Sequence, residues 1–287
     1  MRVFRQVSDF PYIRFEHVTN SPRLLLLDDD DNDDDYRISN LPVAIKLIKL
    51  GKREHKTEAF LRLNKHGQVP VLVEEEDGTE ETLFVLSESS AILKYLSEKH
   101  STTSVVAARL YAAYDLKDKA KIWSAMDWYQ TTIRSSAAGV CWNAFVAANM
   151  GGDVSLALAK HYESRLKTAL EVLETKWLGD KTPFLNERKH PSIADLLVVE
   201  DIVNLVLLKG SPFRDELSSL SRLLRDLPRA RRWIDAVRGI NAPVWDELHR
   251  VIETVAENAA RKLDGIRGSG ESNGSRVGSN STLSPRL

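Results

Sequence analysis

Cysteine is almost missing from this chain of 287 residues: Cys141 stands alone. A single thiol excludes an internal disulfide framework, a multi-cysteine zinc site and an iron–sulfur cluster, and it suits a reducing compartment. Long apolar runs are missing too, and a helix needs roughly 18 or more apolar residues to cross a bilayer. The opening Met1-Arg-Val-Phe-Arg-Gln-Val7 has basic residues but lacks the apolar stretch of a secretory signal. These absences predict a cytoplasmic protein with no membrane partner. Excess charge of either sign is also lacking: Lys+Arg number 40 against 41 Asp+Glu, a net of -1. Without a basic surplus to neutralise phosphates, no nucleic-acid partner is expected. The 7 histidines are scattered, and none sits with cysteine or carboxylate at ligand spacing, so no metal is predicted.

What is present is an ordinary globular composition, 43% hydrophobic and 28% charged, long enough for about two domains. Tyr12 to Val18 alternates weakly, as a strand would. Val43, Ile45 and Leu47 alternate more clearly. Lys56 to Leu63 reads as a short helix. Val69 to Val73 and Thr82 to Leu86 read as antiparallel strands joined through Asp77-Gly78, a good hairpin turn. Ser89 to His100 follows as a helix. Beyond residue 106 no strand signal remains. Tyr162, Leu166, Leu170, Leu173 and Trp177 mark one helical face. Ser192-Ile-Ala-Asp195 is a capping-box start, leading into a run from Leu196 to Leu208 that is apolar on nearly all sides. The expected organisation is an α/β domain over 1–100, an all-helical domain over 107–263 and a disordered tail over 264–287 rich in Gly, Ser, Asn and Arg.

The stretch Asp28 to Asp35 holds seven Asp and one Asn. Asp28, Asp30 and Asn32 mimic an EF-hand, but Asp33 stands where glycine is needed and Ser39 where glutamate is needed, so calcium is not expected. Like charges cannot be buried unpaired. A solvated acidic loop is therefore expected over 28–35. Cys141, in Gly139-Val-Cys-Trp142, reads as a packed core thiol.

Two places carry chemistry. Val69-Pro70 opens a strand, where proline cannot donate to the ladder and where a cis bond is open to it. A cis bond there frees the Val69 backbone to pair with an extended ligand. Glu88-Ser89 lies where a strand turns into a helix. Helix N-terminal amides and the Ser89 hydroxyl suit a carboxylate, and Glu88 suits an ammonium group. An amine beside a carboxylate is the end of an α-amino acid.

Asn64-Lys-His-Gly-Gln-Val-Pro-Val-Leu72 resembles the Asn-Pro-x-Gly-x-Val-Pro-x-Leu element of the glutathione transferases. Ser87-Glu-Ser-Ser-Ala-Ile-Leu-Lys-Tyr-Leu96 resembles that family's γ-glutamyl clamp. Asp127-Trp-Tyr-Gln-Thr-Thr-Ile-Arg134 is similar to the theta-class pattern, and Pro191-Ser-Ile-Ala-Asp-Leu196 to the family's folding-nucleus cap. The resemblance runs from about 43 to 263. It implies a thioredoxin-like domain followed by a helical bundle, a homodimer, and glutathione as co-substrate with no other cofactor. Glu88 and Ser89 would hold the γ-glutamyl end, Val69 the cysteinyl backbone with Gln68 beside it, and His55 and Lys56 the glycyl carboxylate. Arg134 would face the second-substrate pocket, with Asp127 as an alternative ion-pair partner for it, and Trp128 would line that pocket. Pro70, Ser192 and Asp195 would be structural. The family's catalytic hydroxyl follows the first strand. Aligned on Arg23, that position is Thr19, with Ser21 the alternative.

The implied activity is conjugation of glutathione to small electrophiles, or reduction of organic hydroperoxides. The competing reading is a non-catalytic ligand- or protein-binding relative with a disrupted first helix. Ser284-Pro-Arg-Leu287 loosely resembles a Ser-Lys-Leu peroxisomal address, which makes the peroxisome the alternative compartment.

Overall fold

The structure, a computed structural model, describes residues 2–7, 27–29, 36–38, 44–49, 52–75, 82–112, 114–149, 151–240 and 242–272. Two sheets lie in the first hundred residues. The larger has strand order β4-β1-β5-β6, from β1 (Arg2–Val7), β4 (Ala44–Lys49), β5 (Val71–Glu75) and β6 (Thr82–Ser87). β1 runs parallel to β4 and antiparallel to β5, and β5 runs antiparallel to β6. The smaller sheet is a pair, β2 (Leu27–Asp29) against β3 (Tyr36–Ile38), with Asp28 opposite Arg37.

The strand parallel to β4 is Arg2–Val7, which its weak alternation did not mark; Tyr12 to Val18, expected as a strand, lie outside the described residues. Asp28 and Asp29, expected in a loop, are paired strand residues.

The sheet is sandwiched because β5 is apolar on both faces. Val71 and Val73 pack with Ile48 and with Phe60 of α1 (Glu58–Leu63). Leu72, on the opposite face, packs with Ile92, Leu93 and Leu96 of α2 (Ser89–Lys99) and joins the large core of the helical domain. The period of two puts those residues on opposite sides. α2 is also pinned to β5: Glu74 accepts from the Tyr95 hydroxyl at 3.0 Å and from Lys99 Nζ at 2.6 Å. Burial pushes the Glu74 carboxyl up, but those two donors outweigh it and leave it below the usual range.

The helical domain opens with α3 (Val105–Leu110), capped by Ser104. α4 (Leu116–Tyr129) passes through a π turn, Gln130–Arg134, into α5 (Ser135–Cys141), then through a second π turn, Trp142–Val146, into α6 (Ala147–Asn149). α7 (Leu156–Val172) ends in a further π turn, Leu173–Trp177. α8 (Ile193–Val203) is the buried central helix, and the Ser192/Asp195 capping box predicted for it is present. A 3-10 segment, Asn204–Gly210, follows it. The remaining helices are α9 (Leu220–Leu223), α10 (Pro228–Ile240) and α11 (Ala242–Ser272). α11 crosses so close to Gly210 that a Cβ there would stand 2.6 Å from the Ala259 Cβ. α11 continues past the boundary expected at 263, and residues 273–287 lie outside the described set. Cys141 is buried, as expected of a core thiol. Its Sγ lies 3.8 Å from the Asn204 carbonyl, and burial pushes the thiol up to about 12.

Candidate functional site

A cleft of about 490 Å³ lies where the two domains meet. It is lined by His55, Lys56, Gln68, Val69, Pro70, Glu88, Ser89 and Arg134, together with Asn64 and Gly67. Residues separated by up to 79 positions in sequence therefore surround one space, and the sheet explains why. β5 and β6 are antiparallel, with Val71 opposite Ser87. The residues just before β5 and just after β6 therefore emerge at the same edge.

The first wall is the turn before β5. The Val69–Pro70 peptide bond is cis. Asn64, buried, ties the turn closed: its Nδ2 donates to the Gln68 carbonyl at 2.8 Å, and its Oδ1 accepts from the His66 amide at 3.1 Å. Gly67 has φ +59, and a Cβ would stand 2.8 Å from both the His55 carbonyl and Lys56 Nζ. Only glycine fits both the conformation and the space. Asn64 was the missed residue here. An Asn two residues before a turn donor, with Gly next, is an Asx-type signal.

The second wall is the start of α2. Glu88 is the N-cap residue, with φ 73 and ψ 116, and its side chain does not cap the helix. A non-glycine residue there costs on the order of 1–3 kcal/mol, a strain that clusters at functional sites. Its carboxylate is exposed, and no side chain from Glu88 takes up the first amides of α2. The half-buried Ser89 hydroxyl stands beside them.

The third wall is His55 and Lys56, in the 3-10 turn Glu54–Lys56. Lys56 Nζ lies 3.2 Å from both the His66 and Gly67 carbonyls. It ties the turn down while keeping its charge at the cleft. His55 is pushed below the ordinary imidazole range by burial, then by Lys56 and Arg53. Its Nδ1 is buried with no hydrogen-bond partner among the described residues.

Arg134 closes the cleft from the helical side. It pairs with Asp201 on α8, at 2.6 Å. Asp201 is buried and also accepts from the Tyr129 hydroxyl at 2.5 Å. Burial pushes the Asp201 carboxyl up, against the pull of Arg134 and Tyr129. Trp128 does not line the cleft; it packs on Trp177 with ring centroids 5.1 Å apart. Ser192 and Asp195 are structural and buried. Thr19 and Ser21 lie outside the described residues. Because the sheet's first strand ends at Val7, the residue that directly follows it is Ser8, also outside the described set.

The glutathione S-transferase N-terminal domain family matches residues 36–99. Glutathione S-transferase T2 of Arabidopsis thaliana is 36% identical over 206 residues, which is 72% of this chain but 32% of that protein. The chain thus spans about a third of that relative. Glutathione S-transferase T1 of the same plant is 34% identical over 218 residues, 76% of this chain and 82% of that protein. In structure, human glutathione transferase theta-2 in complex with glutathione superposes with a TM-score of 0.62 at 30% identity, covering 77% of this chain and 82% of that one. Sequence and fold agree, and this chain belongs to the glutathione S-transferase family, where it is theta-like.

Proposed function

We propose that the protein joins glutathione to small electrophiles and reduces organic hydroperoxides with it. The observation that carries this reading is the single cleft in which Glu88, Ser89, Val69, Gln68, His55 and Lys56 meet. Glu88 takes the γ-glutamyl ammonium. Ser89 and the first amides of α2 take the neighbouring carboxylate, where the helix dipole favours negative charge. The Val69 backbone pairs with the cysteinyl unit, and Lys56 with His55 takes the glycyl carboxylate. The thiol then points toward the end of β1.

A thiol of ordinary pKa about 8.5 is mostly protonated at neutral pH. A hydroxyl that donates to the sulfur favours the thiolate, and each unit of lowering is worth about 1.4 kcal/mol. The thiolate attacks an electrophilic carbon, and the leaving group departs with its bonding pair. With a hydroperoxide it attacks the terminal oxygen, releasing the alcohol. A second glutathione then reduces the sulfenic product to disulfide and water. Arg134 steadies charge on the departing group. Ser8, directly after β1, joins Thr19 and Ser21 as a candidate donor. The sheet's exposed edge strand β6, with Leu83 and Phe84 open to solvent, supports the homodimer expected of the family.

The test combines glutathione titration calorimetry with turnover of an aryl halide and of cumene hydroperoxide. Ser8→Ala is expected to lower kcat/KM about a hundredfold and to move the pH profile upward, with Thr19→Ala and Ser21→Ala near wild type. No heat with glutathione refutes the reading. Heat without turnover selects the binding-only alternative, which the β2–β3 pair in the region of the family's first helix favours.

A further inference from the structure

We infer that Asp201 is a positioning residue for the active site: by pairing with Arg134 while Tyr129 occupies its other oxygen, it holds the guanidinium at the mouth of the cleft. The inference rests on the proposed glutathione chemistry. Arg134 Nη1 meets Asp201 Oδ1 at 2.6 Å, and the Tyr129 hydroxyl meets Oδ2 at 2.5 Å. Asp201 is 4% exposed and Tyr129 3%, whereas the Arg134 side chain is 31% exposed and lines the cleft. One end of the ion pair is therefore fixed inside the bundle, and the other is presented to ligand.

The backbone is shaped for this convergence. Tyr129 and Arg134 are five residues apart, about 500° around an α-helix, which would point them in different directions. The π turn Gln130–Arg134 widens the helix so that residues five apart fall nearly in line. Both donors thereby reach one carboxylate on α8. A buried carboxylate with both oxygens engaged has no alternative rotamer of similar energy, so it fixes the guanidinium plane as well as its charge. Arginine keeps a flexible stem when unpaired, and a misplaced charge stabilises a transition state poorly.

The experiment is a double-mutant cycle of Asp201→Asn and Arg134→Ala, read as kcat/KM for an aryl halide, together with phenylglyoxal labelling of Arg134 followed by peptide mass spectrometry. Asp201→Asn is expected to lower kcat/KM about tenfold, the scale of one charge-assisted hydrogen bond. In the Arg134→Ala background it should change kcat/KM less than about twofold. It should also speed labelling of Arg134 about fivefold or more, because the paired edge is released. If Asp201→Asn does not fold, Tyr129→Phe keeps the ion pair but frees Oδ2. It should lower kcat/KM about threefold, and that effect too should vanish in the Arg134→Ala background. Effects that multiply, or labelling at the wild-type rate, overturn the positioning role. A wild-type protein that binds no glutathione overturns the proposed function instead, and the labelling comparison still decides this one.

Discussion

Asp195 offers the sharpest test of how this fold is held. The carboxylate is fully buried and accepts four hydrogen bonds. Oδ2 accepts from the Ser192 amide and hydroxyl, both at 2.7 Å, and Oδ1 from the Leu185 amide and Trp233 Nε1, both at 2.9 Å. It thus ties the start of α8 to the chain that precedes it and to α10. Four bonds to a charged acceptor, at about 1.5–3 kcal/mol each, would sum to about 6–12 kcal/mol. Withdrawing the ion from water takes several kcal/mol back. Burial pushes the Asp195 carboxyl up in spite of those donors, so the desolvation is substantial. Asp195→Ala should therefore cost about 3–5 kcal/mol, the range for breaking a buried charged network.

Asp195→Asn separates two states of the native carboxyl. If it is ionised, the new amide must aim N–H groups at donors. Turned toward Ser192 it loses least, since the hydroxyl can reverse and accept, while Oδ1 keeps Leu185 and Trp233. A loss of about 2–3 kcal/mol follows. Urea unfolding at pH 7, with glutathione affinity as the control on native structure, reads both variants. An Asn variant within about 1 kcal/mol of wild type, with Ala still costly, would refute an ionised hub and show the folded protein carrying a protonated Asp195.

Asp195 was legible in the sequence because a capping box is local: Ser and Asp three residues apart before an apolar run. The proposed glutathione cleft was legible for a similar reason. Each half is a short continuous motif, and antiparallel pairing of β5 with β6 brings the halves together. The Arg134 contact was not legible in the same way. Asp127 looked plausible at regular helical spacing, and the π turn breaks that spacing. Its actual partner, Asp201, lies 67 positions away. A lone carboxylate in a run otherwise apolar on nearly all sides was the available signal, since such a group must find a partner. The strand Arg2–Val7 was not legible because it alternates no better than Tyr12 to Val18, which lie outside the described residues. Its place is fixed by parallel pairing with β4, a non-local contact. A strand ending at Val7 is what adds Ser8 to Thr19 and Ser21 as a proposed donor.

Two further outcomes are expected. Gly67→Ala places a Cβ at φ +59 against the His55 carbonyl and Lys56 Nζ. It should weaken glutathione about five- to thirtyfold in calorimetry, about 1–2 kcal/mol, and an unchanged affinity would show that the turn does not position those residues. His249→Gln concerns pH. His249, on α11, stacks on Trp245 at 4.0 Å, its Nδ1 lies 2.8 Å from the Trp245 carbonyl, and its Nε2 faces Glu200 of α8 at 3.5 Å. Burial alone would push the imidazole down, but Glu200, the Trp245 carbonyl and Glu253 together raise it above 6.5. The folded state therefore binds this proton more tightly than the unfolded chain does. The stabilisation is complete below the unfolded value near 6.5 and is lost as pH rises through the higher folded value. Urea unfolding should show wild type exceeding His249→Gln by a margin that is largest near pH 6 and shrinks toward pH 8. A margin that is flat across that range, or that grows with pH, would mean that Glu200 contributes no charge to its contact with His249.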